Sequence, residues 1–176
     1  MGEWTGGHMM ECPAIAELKS ALLAGVPLLA AQPAKIGMTR PDGSRHDAGL
    51  AMDIMLHSQN MVEKLVADRI IEAIIKLHPK MKWSDILYTD WNGSSPVFFH
   101  IPGAWPFGGP KGMLKKNPNT NKKLGEEHIN HIHIDWWTGD PKKLPASSNS
   151  RGFKTGLVAE LLAPPQWLVD YMKTIT

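Results

Sequence analysis

The segment INHIHIDW, Ile129 to Trp136, constrains the fold more than any other part of the chain. Polar and apolar residues alternate along it, and in an extended strand alternate side chains share a face. Ile132 and Ile134 turn to one side, while His131, His133 and Asp135 turn to the other. The isoleucine face belongs to a core. The opposite face has no packing reason to carry two imidazoles and a carboxylate, so it belongs either to solvent or to a site. His-x-His on a strand aims two imidazoles at one point, and neutral imidazole suits zinc.

The remaining segments supply helices and strands around this one. Residues 13–24 predict a first helix, ended or bent by Gly25 and Pro27. Residues 33–47 read as a short strand and a turn built on Pro41-Asp42-Gly43. Residues 49–56 read as a mostly buried strand with Ala51, Asp53 and Met55 on one face. A long helix follows, capped by Ser58 or Asn60, with Asn60 and Glu63 at capping-box spacing. Met61, Val62, Leu65, Val66, Ile70, Ile74, Ile75 and Leu77 predict one broad buried stripe, and Pro79 ends the helix. Further strands are expected at 84–89 and 96–101 around an Asn92-Gly93 turn. A long loop covers 102–125, and C-terminal helical pieces break at Pro164-Pro165. This order predicts an α+β fold, a small and mainly antiparallel sheet flanked by helices.

Composition excludes other classes. With 43% apolar and 20% charged residues in a chain of 176, a disordered tail, a fibre and a coiled coil are ruled out. A net charge of +2 argues against nucleic acid as the main partner. The single cysteine, Cys12, excludes a disulfide framework and a zinc site of several thiolates, and it is expected to be inert. No stretch reaches the roughly 18 uninterrupted apolar residues of a membrane span. Residues 1–10 read as a flexible leader of the kind cloning leaves behind, which puts a single domain at 11–176.

The second block with chemistry in it runs from Ser44 to Asp53, SRHDAGLAMD. Asp53 lies between Met52 and Ile54, and a carboxylate desolvated in this way needs a charged partner or a metal. The partner could be Arg40, Arg45 or Arg69. The metal reading joins Asp53 to His46 and to one histidine of the His131/His133 pair. Two neutral nitrogens and one carboxylate leave a tetrahedral ion one open position, the arrangement of a catalytic zinc.

SRHDAGLAMD resembles the S-x-H-x-x-G-x-A-x-D signature of the zinc D-Ala-D-Ala peptidases, with Ser44, His46, Gly49, Ala51 and Asp53 on the pattern. His131-Ile132-His133 resembles the second element of that family. Many members carry a glutamate three residues before the last zinc histidine, where this chain has Asn130. The murein endopeptidase branch instead has His-x-His with a further histidine three residues before it, as at His128, His131 and His133. The resemblance implies one Zn2+ per chain, held by His46, Asp53 and His133. It implies His131 as the base that activates water, and His128 beside it or on the substrate. Arg40 and Arg45 are candidates to clamp a substrate carboxylate or oxyanion. Ser44, Trp136 and His100 are candidates for the substrate side, with Ser44 also placed to orient the loop carrying His46. The rival reading of His100 is a satisfied core or edge histidine, that of Trp136 a core residue, and Asp135 either fixes an imidazole tautomer or lies on the surface.

The activity implied is zinc-dependent hydrolysis of an amide bond in peptidoglycan stem peptides or cross-links, by an endopeptidase or a carboxypeptidase. Such an enzyme acts in the periplasm or cell wall. No signal peptide is visible, so export by another route or a removed leader is expected. A phage lysin or a secreted antibacterial effector would fit, and an effector implies a cognate inhibitor protein. The rival expectation is a zinc-binding module on the same scaffold with no hydrolysis, for which Asn130 leaves room. The lysines of the 102–125 loop, and His57 and His78 beside the long helix, read as surface residues.

Overall fold

Proline punctuates the helical part of the fold. In the computed structural model, which describes residues 10–37, 41, 44–88, 128–136, 144 and 146–174 with backbone alone at 97–100 and 166–168, Pro13 opens helix α1 (Pro13–Gly25) and Pro27 opens α2 (Pro27–Ala31). A first-turn proline loses nothing, because its missing N–H would have had no helical acceptor. Strand β1 (Ile36–Gly37) leads to β2 (Ala51–Ile54), and helix α3 spans Met61–Lys76. Pro79 opens the short α4 (His78–Met81), which follows α3 directly. Strands β3 (Asp85–Tyr88), β4 (Val97–His100) and β5 (Ile132–Asp135) come next, then helices α5 (Lys154–Leu162) and α6 (Gln166–Thr174). The expected helices and strands are therefore present. The Asn92-Gly93 turn, the 102–125 loop, Asp42-Gly43 and residues 1–9 lie outside the described residues.

The five strands form one antiparallel sheet in the order β1-β2-β5-β3-β4, which is the predicted α+β architecture. Its register separates two faces. Met52 pairs with Ile134 and Ile134 with Ile86, while Ile54 pairs with Ile132. These side chains join Ile15, Leu18 and Leu22 of α1 and Ile70, Ile71 and Ile74 of α3 in one apolar core. On the other face Asp53 pairs with His133, and Asp135 lies between Ala51 and Asp85. No helix among the described residues is long and apolar enough to cross a membrane.

Helix α5 packs on α1 so closely that a Cβ at Gly25 would lie 2.9 Å from the Leu161 Cβ. Glu17 of α1 accepts hydrogen bonds from the backbone N–H groups of Gly152 (2.9 Å) and Lys154 (2.6 Å). A carboxylate at the positive end of α5 is favoured by the helix dipole as well as by those bonds. Cys12 is fully buried, and burial pushes its thiol up to about 11, which agrees with an inert role.

Three expectations for the α3 region need correction. Met61, Val62 and Leu65 are exposed, not part of a buried stripe. At about 100° per residue they fall on the face opposite Ala67, Ile70 and Ile74, which are the residues that meet the core. The capping box is half formed. Asn60 Oδ1 accepts from Val62 N and Glu63 N, but Glu63 reaches past Asn60 to the His57 amide (2.7 Å) and to Lys35 Nζ (3.0 Å). His57 and His78 are half-buried rather than on the surface, with the His78 ring edge-on to Trp83 and Nε2 donating to the Trp83 carbonyl (3.2 Å).

The His57 amide, aided by Lys35 and opposed by partial burial, holds the Glu63 carboxyl below its ordinary 4.5. A carboxyl lowered by folding stabilises above its unfolded value and loses that contribution as pH falls through its folded value. Glu63→Gln should cost about 1–2 kcal/mol at neutral pH. Urea melts should show this gap at full size above pH 4.5 and closing as the pH drops below it.

Candidate metal centre

The turn before β2 places His46. Ser44 Oγ accepts from the His46 amide (3.1 Å), and Gly49, at φ 68°, closes the turn with its N–H on the His46 carbonyl (3.0 Å). A left-handed residue is needed there, and glycine adopts that conformation without a Cβ clash. Leu50 N then donates to the Arg45 carbonyl (2.8 Å), and the chain enters β2 with Asp53 two residues beyond Ala51 on the polar face. The spacing from Ser44 to Asp53 is thus the length of one turn plus half a strand.

Three histidines face the Asp53 carboxylate. Oδ2 lies 3.3 Å from His46 Nε2, while Oδ1 lies 2.8 Å from His133 Nδ1 and 3.7 Å from His131 Nε2. Of the arginines considered for Asp53, Arg45 meets Asp135, Arg69 donates to the Leu161 and Glu160 carbonyls, and Arg40 lies outside the described residues. Burial works to raise the Asp53 pKa, but hydrogen bonds from His133 and His46, with their charges, outweigh it and hold the carboxyl far below the usual range. Burial likewise opposes charge on His133, yet hydrogen bonds to Asp135 and Asp53 lift it to about 9.

A second layer of charge stands behind the first. Asp135 Oδ2 accepts from His133 Nε2 (3.3 Å) and from Arg45 Nη1, and the same Nη1 is 4.0 Å from Asp85 Oδ2. Asp135 and Asp85 are both essentially buried. Asp135 is held low despite its burial, by His133 and then Arg45. Burial, and then the neighbouring Asp135 charge, raise Asp85 well above the carboxylate range. Of two carboxyls behind one guanidinium, Asp135 is held low and Asp85 is pushed up.

His46, Asp53 and His133 each present one donor atom within 4.8 Å of the others, and all three side chains are largely enclosed. Two imidazoles and one carboxylate are a donor set that divalent transition metals accept, so these residues fit a metal ion. His133 would offer Nδ1, the atom facing Asp53, and its Nε2–H to Asp135 fixes that tautomer. His131 lies beside the cup, half-buried, with Nδ1 donating to Asn130 Oδ1 (2.8 Å), which leaves Nε2 as its acceptor. The buried His128 ring stands 4.9 Å from His131 and 5.6 Å from His133.

Other expected site residues fall elsewhere. Trp136 is not on the substrate side: it is fully buried in the core, with its indole N–H on the Met81 carbonyl (2.9 Å). The alternation continues one residue past Asp135 and turns Trp136 to the isoleucine side. Arg45 turns its Nη1 inward to Asp135. Asp135 is no surface residue, and Ser44 has its oxygen on the His46 amide. The His100 backbone pairs with Asp85, while its side chain, like Arg40, lies outside the described residues. Asp85 is the member that the sequence reading missed. Its signal was the same as that of Asp53, an acid followed by Ile86 and Leu87 on a buried strand.

The fold and the site together define an α+β chain with a buried His/Asp cup able to hold a metal ion. Comparison with family models, curated proteins and solved structures returned no match to this chain.

The Arg45–Asp135 tie behind His133 generates a prediction in two parts. Asp135→Asn should lower affinity for zinc by about 10–100-fold, read by competition with a chromophoric chelator. Arg45→Ala should cost about 3 kcal/mol in urea unfolding, because the buried Asp135 charge loses one of its two cationic partners, keeping only His133.

Proposed function

We propose that this chain is a zinc-dependent peptidase that hydrolyses an amide bond in peptidoglycan stem peptides or their cross-links. The observation that carries this reading is the Asp53 carboxylate faced by His46, His133 and His131 at the spacing of the S-x-H-x-x-G-x-A-x-D and His-x-His elements. His46, Asp53 and His133 would hold the zinc, which when bound supplies Lewis acidity and a lowered water pKa.

The protein's own groups provide the rest. His131 Nε2 takes the proton of the attacking water and returns it to the departing amine nitrogen. The Asn130 oxygen on Nδ1–H keeps that tautomer ready. Asp135 and Arg45 keep the His133 ring turned with Nδ1 to the cup. The substrate reading places the protein in the periplasm or cell wall, as a lysin or as an effector with a cognate inhibitor. A second reading, a metal-binding module without turnover, draws on Asn130 standing where many relatives of the motif have a glutamate.

Mass spectrometry of purified muropeptides, with and without chelator, tests the proposal. Chelator-sensitive conversion of cross-linked dimers to monomers marks an endopeptidase, and loss of one terminal alanine marks a carboxypeptidase. No conversion by zinc-loaded protein favours the module. Asp53→Ala should lose tight zinc binding and hydrolysis together. His131→Ala should keep zinc and lose about 100- to 10,000-fold in turnover; full activity in that variant would overturn the role of His131.

A further inference from the structure

His133 belongs to two donor sets. One is His46, Asp53 and His133; the other is His128, His131 and His133, and within each set the ligand atoms lie within 4.8 Å of one another. We propose that the cup has two overlapping seats for a divalent transition metal, the second made by His128, His131 and His133. The rings of the second set are inclined, His128 at 50° to His131 and at 65° to His133, so they are not a parallel stack whose faces merely pack together. Their turn is pinned where it meets the start of α3, by Ser58 N donating to the Ile129 carbonyl (2.9 Å). The two seats adjoin, since His131 Nε2 is 3.7 Å from Asp53 Oδ1.

The chemistry of the donors ranks the seats. The first includes a carboxylate and the second only neutral imidazoles, so the first holds a dication more tightly. Three imidazoles are nonetheless a complete protein ligand set for zinc or cobalt, and a poor one for magnesium or calcium. With its Nε2 on Asp135, His133 has Nδ1 to offer an ion, so the seats compete for it. An ion in the second seat occupies His131 and gives a loaded but inactive chain. That consequence rests on the peptidase reading, whereas the second seat does not.

Equilibrium dialysis against Co2+, with its visible absorption as a second readout, separates the cases. Wild type should bind one ion tightly. His46→Gln and Asp53→Asn, each checked for folding by circular dichroism, should still bind one Co2+, weakened more than about tenfold. Adding His128→Gln to either should cost roughly tenfold more. Two entry variants are used so that poor folding of one leaves the other to decide. If the folded single variants bind no Co2+ while wild type binds one, the second seat is overturned and the peptidase reading stands. Double variants that bind as well as the singles also overturn it. A wild type that binds no Co2+ sinks both.

Discussion

A carboxylate enclosed in the middle of a sheet must be answered by positive charge, and the rest of this structure is arranged around how Asp53 is answered. Asp53 retains 5% of its surface and faces imidazoles from two other parts of the chain. A lone charge in that position would be costly by several kcal/mol. The turn that brings in His46 and the strand that brings in His133 therefore serve stability and chemistry at once.

Charge is balanced in layers rather than pair by pair. Asp53 lies against His133, His133 against Asp135, and Asp135 against Arg45, with the Asp85 carboxyl at the back. The members come from β2, β5, β3 and the turn before β2, so the row crosses three neighbouring strands. The polar members on the strands have chain neighbours in the apolar core, at Met52, Ile134 and Ile86. The sheet divides two solvents, oil on one side and a polar site on the other.

Much of this was legible in the sequence. The alternation through β5 specified both faces, and Asp53 between Met52 and Ile54 announced a buried charge. What escaped depends on contacts that no local pattern encodes. Asp85 is a site residue because β3 pairs with β5 in one register, with Asp85 opposite Asp135. In the sequence Arg45 is a cation beside a ligand, and only the fold shows the carboxylate 90 residues away that its Nη1 meets. Met61, Val62 and Leu65 carry the apolar spacing of the buried stripe, yet helix phase puts them on the far side. Trp136 was an open alternative that only its depth could decide.

The two-sided role of β5 bears on how chains of this kind can diverge. Side chains alternate at every residue, so dropping or adding one residue inside Ile132–Asp135 would exchange the faces. Isoleucines would enter the cup, and imidazoles would enter the hydrocarbon interior. Point changes can retune such a strand step by step, but a change in its length abolishes fold and site in a single event. Drift in length is therefore confined to the connections, while the strand varies only in which residues fill its fixed places.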